Sequence, residues 1–517
     1  MKKIIVLIIR DGWGINPDSR HNAVANAHTP HLDVLLTKYP NTVLEAAGSA
    51  VGLPRGYQGS SEVGHLNIGA GRIVKQEITR INESIEDKSF FASACLQRAI
   101  TNCVSKNSSL HLMGLVQDAG VHAHQDHLFA ILSYAKGRGV AQISIHFFSD
   151  GRDTAPRSAL EFLRAVNEKI AEYRAGEIAT LMGRYYAMDR GKNWHLTSQA
   201  YNALTRGEGI KVSSAEEAVK RAYDEDKTPD GGQMTDEYIP PSIIGTFSGI
   251  NEGDSVIHFN YRQDRAIQLT MAFVEDDYPG ERWKKLDIVY CGLTRYYDTF
   301  PFYMMEPISE GVGMNKILGE VLSEKGLRQL RIAETQKFRH VTSFFNGKRI
   351  EPFPHEEQIE IKSMYDPALF AEHPEMNAFD VTEEVLRRIK SERYHLIVLN
   401  YANCDMVGHT GDFEAAKIAV EVVDTCVGEV VTATLSHDGV ALVTADHGNV
   451  EEMIDYQTGL PKTSHTNNPV EFIYVANDYR GVRLRPRGIL SDIAPTILFL
   501  LGLPKPPEMT SANLILT

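Results

Sequence analysis

Residues 4–9, Ile4-Ile5-Val6-Leu7-Ile8-Ile9, run directly into Arg10-Asp11-Gly12-Trp13-Gly14. The apolar run is too short for the hydrophobic region of a secretion signal, and Arg10-Asp11 interrupts it at once. It reads as a buried strand that delivers an acid at its end. The pattern recurs at residues 110–116, 143–148, 178–182, 255–259, 396–400 and 441–444, each rich in strand-forming residues and separated from the next by stretches of helical period. Such alternation predicts an α/β chain with mainly parallel sheets. Asp380-Val381-Thr382-Glu383 predicts a helix start, with Val385, Leu386 and Ile389 on one face. The apolar run 497–501 falls far short of the roughly 20 residues that a membrane helix needs.

With 517 residues the chain is long enough for two to four domains at about 100–200 residues each. Its 67 acidic and 53 basic side chains give a net charge of −14 without long basic runs, which excludes general nucleic-acid or membrane-surface binding. Any anionic ligand must therefore be met by local positive charge. The five cysteines (Cys95, Cys103, Cys291, Cys404, Cys426) contain no C-x-x-C pair, which suits free thiols in a reducing compartment and makes the cytoplasm the expected location.

Two patches divide the chemistry: Gly69-Ala70-Gly71-Arg72 leading to Gln76, and residues 307–313 with Gly311 and Gly313. Acids and histidines that suit metals lie before the first and after the second, while strand-ending arginines lie between. The expected organisation is a discontinuous metal domain, residues 1–74 and 312–517, interrupted by an inserted domain, residues 78–308. Hinges are expected at 72–77 and 307–313.

In open α/β sheets ligands bind beyond the carboxyl ends of the strands. Three such ends carry metal-capable groups: Asp11; Asp405 and His409 in Asn403-Cys404-Asp405-Met406-Val407-Gly408-His409; and Asp446-His447-Gly448-Asn449. His465, in Thr463-Ser464-His465-Thr466, is a further candidate. Singly, each has an ordinary reading as a helix cap, a solvated i,i+4 pair or a loop histidine. Together they supply the oxygen and nitrogen donors of a two-metal centre. In Gly59-Ser60-Ser61-Glu62-Val63-Gly64-His65 the glycines permit a tight turn exposing a serine at a helix N-terminus, although a plain helix cap fits the same local sequence. Arg152 and Asp153, Arg184 with Arg190, and Arg262 with Arg265 follow three strands of the middle segment. Guanidinium forks placed in this way suit a small, highly anionic ligand, with solvated surface arginines as the alternative. His122 and His124 in Gly120-Val121-His122-Ala123-His124 are ligand or proton-donor candidates.

Over essentially its whole length the chain resembles the cofactor-independent phosphoglycerate mutases of the alkaline phosphatase superfamily. The resemblance rests on Asp11-Gly12-Trp13-Gly14, residues 61–72, Ser149-Asp150-Gly151-Arg152-Asp153-Thr154, residues 183–190, Ala333-Glu334-Thr335, residues 405–411 and Asp446-His447-Gly448-Asn449. It implies an alkaline-phosphatase-like metal domain interrupted by an inserted transferase domain. It also implies interconversion of 3- and 2-phosphoglycerate through a phosphoserine, in glycolysis and gluconeogenesis, by a monomer. Two Mn²⁺ ions are implied, with Mg²⁺, Zn²⁺ or Co²⁺ as alternatives. Asp405, His409 and His465 would hold one ion; Asp11, Ser61, Asp446 and His447 the other. Ser61 would be the nucleophile. His122, Arg152, Asp153, Arg184, Arg190, Arg262 and Arg265 would grip the substrate, Lys337 would contribute from the metal domain, and Asp153 would serve as acid or base.

The chain departs from the family pattern at Gln58-Gly59-Ser60, which leaves two adjacent serines, at Gln117-Asp118-Ala119-Gly120 before His122, and at Gly191-Lys192-Asn193-Trp194, which lacks a basic residue before the tryptophan. Cys404 stands where Pro is usual and would loosen the turn or offer an oxidisable thiol beside Asp405; Lys348 replaces a common Gly. Rival readings are a sugar-phosphate mutase or phosphatase sharing the metal ligands, and a non-catalytic metabolite-binding protein on the same scaffold. Five arginines suited to a carboxylate disfavour the former, and intact Ser61 and Lys337 disfavour the latter.

Overall fold

Strand Ile5–Arg10 lies between two parallel neighbours, Leu396–Tyr401 and Val440–Thr444, with Ile9 paired to Asn400 on one side and Thr444 on the other. All three therefore end at one level. Every residue of the three is buried, so they read as unbroken apolar runs rather than alternating ones. Strands Gln329–Glu334 and Glu356–Ile361 extend the parallel set beyond Leu396–Tyr401. On the other side Val470–Ala476 runs antiparallel, followed by Asn41–Glu45 and Arg487–Ile489, to complete eight strands.

These elements belong to the first of two units in the computed structural model, which describes residues 4–307 and 314–516. The units are Met1–Gln76 with Gly311–Thr517, and Glu77–Glu310. The second has its own eight-stranded sheet, ordered Tyr303–Met305, Val289–Thr294, Ser255–His258, Leu110–Leu115, Ile143–Ser149, Glu177–Gly183, Ser242–Ile244 and Ile210–Val212. Only the pairing of Glu177–Gly183 with Ser242–Ile244 is antiparallel among the described strands of that sheet. The α/β expectation holds for both units.

Local readings shift in places. The helix expected to start at Asp380 is Ala378–Lys390; Asn377 precedes it and donates from Nδ2 to the Asp380 carboxylate at 2.8 Å, so Asp380 supports the first turn instead of opening it. Residues 497–501 fall mostly on helix Ile493–Leu500. No described helix is long and apolar enough to cross a membrane. Residues 72–76 are bonded into the first unit: Arg72 Nη1 donates to the Glu508 carbonyl at 3.0 Å, Val74 N to Asn67 Oδ1 at 3.0 Å and Gln76 N to the Gly52 carbonyl at 2.8 Å. The other expected hinge, 307–313, lies outside the described residues except for Pro307.

Burial has a pH consequence in the second unit. His127, whose Nε2 meets Asn82 Oδ1 at 2.8 Å, and His258, whose Nδ1 meets the Tyr290 hydroxyl at 3.1 Å, are both pushed down to about 3 by desolvation, with His124 adding repulsion at His127. Folded protein thus excludes protons that the unfolded chain accepts below its ordinary histidine value of 6.5. Their contribution is complete above that pH and is lost as pH falls toward 3. Between pH 7.5 and 5 each should cost about 2 kcal/mol. Urea unfolding at the two pH values checks this: replacing both by Gln should remove that part of the slope, and an unchanged slope would refute the assignment.

Candidate active site

The three strand ends converge. Asp11 follows Ile5–Arg10, its N–H donating to the Tyr401 carbonyl at 3.1 Å, while Asp405 N donates to the Asp11 carbonyl at 3.1 Å. Gly12 makes this approach possible: at φ +77°, a Cβ there would stand 2.7 Å from Asp405 Cα, so only glycine fits. Helix Asn403–Gly408 sets Asp405 and His409 one turn apart. Asp405, His409 and His465 form one group of converging donors and Asp11, Asp446 and His447 a second, with the ligand atoms of each within 4.8 Å of one another.

Three imidazoles share one orientation. His409 Nδ1 lies 2.7 Å from the Thr463 carbonyl, His465 Nδ1 2.8 Å from the Gly59 carbonyl and His447 Nδ1 3.2 Å from the Gly448 carbonyl. Each ring, held through Nδ1, thus presents Nε2 toward the acids, the orientation of metal-ligating histidine. His409 and His465 Nε2 are 3.1 Å apart, and each is within 3.2 Å of Asp405 Oδ1. Two neutral nitrogens aimed at one point repel unless a cation lies between them. Asp446 Oδ2 is buried and accepts no hydrogen bond, its nearest nitrogen, His65 Nδ1 at 3.3 Å, being committed to the Ser61 carbonyl at 2.8 Å. Facing lone pairs, an unsatisfied buried oxygen and an all O/N donor set fit hard or borderline divalent cations.

The adjacent serines separate. Ser60 is the N-cap of helix Ser61–Ala70, its Oγ accepting from Val63 N at 3.4 Å. Ser61 is buried and turned toward the metal groups: its Oγ donates to Asp11 Oδ1 at 3.1 Å, lies 3.0 Å from His447 Nε2 and accepts from Lys337 Nζ at 2.6 Å. Gly59 and Gly64 permit the fit, since a Cβ at either would strike the Ala46 or Asp446 carbonyl oxygen.

Lys337 Nζ also reaches Asp11 Oδ1 at 2.7 Å and Asp405 Oδ2 at 2.6 Å. Burial opposes its charge, yet Asp11 and Asp405 outweigh that and raise its pKa. Burial likewise opposes ionisation of Asp11 and Asp405, and Lys337 overrides it, holding both well below the usual carboxylate range. Asp446, with Asp11 and Asp405, pushes His447 up to about 10 against burial. Such a field attracts cations.

The second unit gathers the other predicted residues. Arg184 Nη1 contacts Asp150 Oδ1 and Asp153 Oδ2, each at 2.5 Å; Arg190 Nη1 meets Asp264 Oδ2 at 2.5 Å and Arg262 Nε meets Asp264 Oδ1 at 3.1 Å. His122 lies between, Nε2 3.7 Å from Asp153 and Nδ1 3.8 Å from Asp264. Burial, then Arg184 and Arg262, push His122 down to about 3, so it is neutral. Arg265 donates to the Met188 carbonyl at 3.2 Å; burial lowers its pKa, and Arg184, Arg190 and Arg152 lower it further. Mutually repelling guanidiniums of this kind suit an anion. Arg152 is half exposed, with Glu237 3.4 Å away. Gln117, one of the departures, is buried and stiffens the His122 loop, donating to the Ala123 carbonyl at 3.0 Å and accepting from Gly120 N at 3.1 Å.

Sequence reasoning missed the supports. Asn400 donates to Asp11 Oδ2 at 2.7 Å and Asn449 to Asp405 Oδ1 at 3.0 Å. Asp150 and Asp264, which hold arginines, were also missed. No local signal marks Asn400, whose partner Asp11 comes from the end of the neighbouring strand. Cys404 requires correction: it is fully buried, and burial raises its thiol pKa far above normal, so it packs the core and is no exposed oxidisable group.

A family model described as BPG-independent PGAM N-terminus matches residues 81–298. A 2,3-bisphosphoglycerate-independent phosphoglycerate mutase from Clostridium botulinum is 48% identical over 518 residues, covering 99% of each chain. One from Clostridium tetani is also 48% identical over 518 residues with 99% coverage of each. Among solved structures, Leishmania mexicana phosphoglycerate mutase at low cobalt concentration is 32% identical with a TM-score of 0.76, covering 100% of this chain and 98% of that one.

Proposed function

The chain belongs to the 2,3-bisphosphoglycerate-independent phosphoglycerate mutases, which interconvert 3- and 2-phosphoglycerate, and from that premise we propose that the phosphoryl group passes through Ser61 at a centre of two Mn²⁺ ions. The enzyme is metal-dependent. Asp405, His409 and His465 would hold one ion and Asp11, Ser61, Asp446 and His447 the other. When bound, the metal supplies Lewis-acid stabilisation and lowers the pKa of a nearby hydroxyl.

The observation carrying this reading is the set of contacts at Ser61 Oγ: acid, imidazole and ammonium all within 3.1 Å. Asp11 orients the hydroxyl proton, and Lys337 presents positive charge where charge develops on the transferring phosphoryl group. The helix N-terminus beneath Ser61 favours the same anion. In the inserted unit, Arg152, Arg184, Arg190, Arg262 and Arg265 grip carboxylate and phosphate, with neutral His122 as hydrogen-bonding partner. Asp153, held by Arg184, exchanges the proton of a glycerate hydroxyl. The protein acts as a monomer in the cytoplasm.

Chelation followed by verified metal removal should abolish turnover, and Mn²⁺ should restore it without added 2,3-bisphosphoglycerate; full activity in metal-free enzyme would end the two-metal reading. Replacing Arg262 and Arg265 together by Ala should raise KM by on the order of 10²-fold or more, at a few kcal/mol per lost charge-assisted pair. An unchanged KM in steady-state assays would remove their role in substrate binding.

A further inference from the structure

We propose that Glu451 is a positioning residue that holds both groups of ion ligands in register, so that its loss weakens metal binding rather than the chemistry itself. The proposal rests on reading those groups as ion ligands and adds what fixes their spacing. Glu451 is fully buried. Its Oε2 accepts from Gly14 N at 3.0 Å and from Asn449 N at 2.8 Å. Its Oε1 accepts from the Thr466 hydroxyl and from Asn468 Nδ2 at 3.0 Å. These partners come from three ligand-bearing segments: Gly14 follows Asp11, Asn449 follows Asp446-His447, and Thr466 follows His465. Asn449 extends the hold to a fourth, since its side chain donates to Asp405 Oδ1 at 3.0 Å. One carboxylate thus ties together, directly or through one amide, every segment that supplies an Asp or His ligand.

Two glycines make room for it. A Cβ on Gly14 or on Gly448 would strike the Glu451 carboxylate, and one on Gly448 would also strike the Thr466 hydroxyl. Neither glycine has a left-handed φ, so space and not backbone conformation calls for glycine at both positions. The backbones of two ligand loops therefore close directly on the acid. Partners of this kind, which touch the ligand segments and not the ion, set where ligand atoms stand and hence how tightly an ion is held.

The donor pattern separates two variants. A glutamine at 451 keeps the shape but has a single acceptor oxygen, whereas four donors meet the carboxylate. That oxygen must face the two backbone N–H groups, because an amide nitrogen there would set donor against donor. The NH2 group then falls where Thr466 and Asn468 donate. Thr466 Oγ1 already accepts from Asn468 N at 3.2 Å, so its own proton is what it offers to Glu451. Glu451→Gln therefore keeps the segments of Asp11 and of Asp446-His447 in place and releases that of His465. Glu451→Ala releases all of them.

Calorimetric titration of metal-free, full-length enzyme with Mn²⁺ tests this. The parent should show two binding events. Glu451→Gln should leave one near its parental Kd and weaken the other about 10-fold or more, while Glu451→Ala should weaken both by about 10–100-fold. Thr466→Val, which removes the hydroxyl and keeps the carboxylate, should repeat the glutamine pattern, and it decides the matter if Glu451→Ala does not fold. Saturating Mn²⁺ should return kcat of Glu451→Gln to near the parental value with KM for 3-phosphoglycerate unchanged, a recovery that general loss of structure does not give. Parental affinities in both Glu451→Gln and Thr466→Val overturn the positioning role and leave the two-ion reading standing. Equal weakening of both events in those two variants overturns the division of labour between the two carboxylate oxygens. A parent that takes up no Mn²⁺ overturns both readings.

Discussion

Ser61→Ala will lose mutase turnover by about 10⁴-fold or more, whereas Ser60→Ala will keep it and lose only about 1 kcal/mol of stability or less. The difference lies in direction along one helix start. Ser60 Oγ turns back to Val63 N at 3.4 Å, a long cap contact whose loss affects the helix alone. Ser61 Oγ faces Asp11, His447 and Lys337, and no other described hydroxyl has those three partners. Removing it removes the acceptor and one proposed ligand but leaves Asp11, Asp446 and His447, with Asp405, His409 and His465 intact, so Ser61→Ala should still bind Mn²⁺ in a calorimetric titration. Phosphopeptide mapping of enzyme quenched with substrate should place the label on Ser61. Label on Ser60 would reverse the assignment.

What was legible in the sequence was whatever a single strand or helix start dictates. Asp11, Asp405 and Asp446 were readable because each lies within a few residues of the end of a buried apolar run, and parallel pairing brings those ends together. His409 was readable from its four-residue spacing to Asp405. Convergence itself rested on the rule for strand ends in open sheets. The supports were not legible. Asn400 and Asn449 orient ligands through contacts 389 and 44 residues away in sequence, and an isolated asparagine carries no mark of such a partner. Asp150 and Asp264 neutralise arginines through contacts that no local sequence pattern marks. Cys404 misled for a related reason: its neighbour Asp405 faces the site, while its own side chain packs the core, and adjacency in sequence says nothing about facing.

Lys337→Met separates two roles that the lysine combines. Its ammonium is buried against Asp11, Asp405 and Ser61, so its loss leaves carboxylates at 11, 405 and 446 without their nearest fixed cation. Breaking a buried pair in this way costs about 3–5 kcal/mol. Metal-free Lys337→Met should therefore unfold at clearly lower urea than the metal-free parent. Divalent ions neutralise the same acids, so Mn²⁺ should stabilise the variant more than the parent and close most of that gap. Catalysis should not recover with it. The ammonium sits 2.6 Å from the nucleophile, where a methionine offers no positive charge to the transferring phosphoryl group, and one such donor is worth about 10²–10³ in kcat. Lys337→Met should thus be stable and slow once loaded with metal. If loaded Lys337→Met turned over near the parental rate, Lys337 would be a structural counter-ion only, and charge stabilisation of the transfer would have to come from the metal groups and the helix N-terminus beneath Ser61.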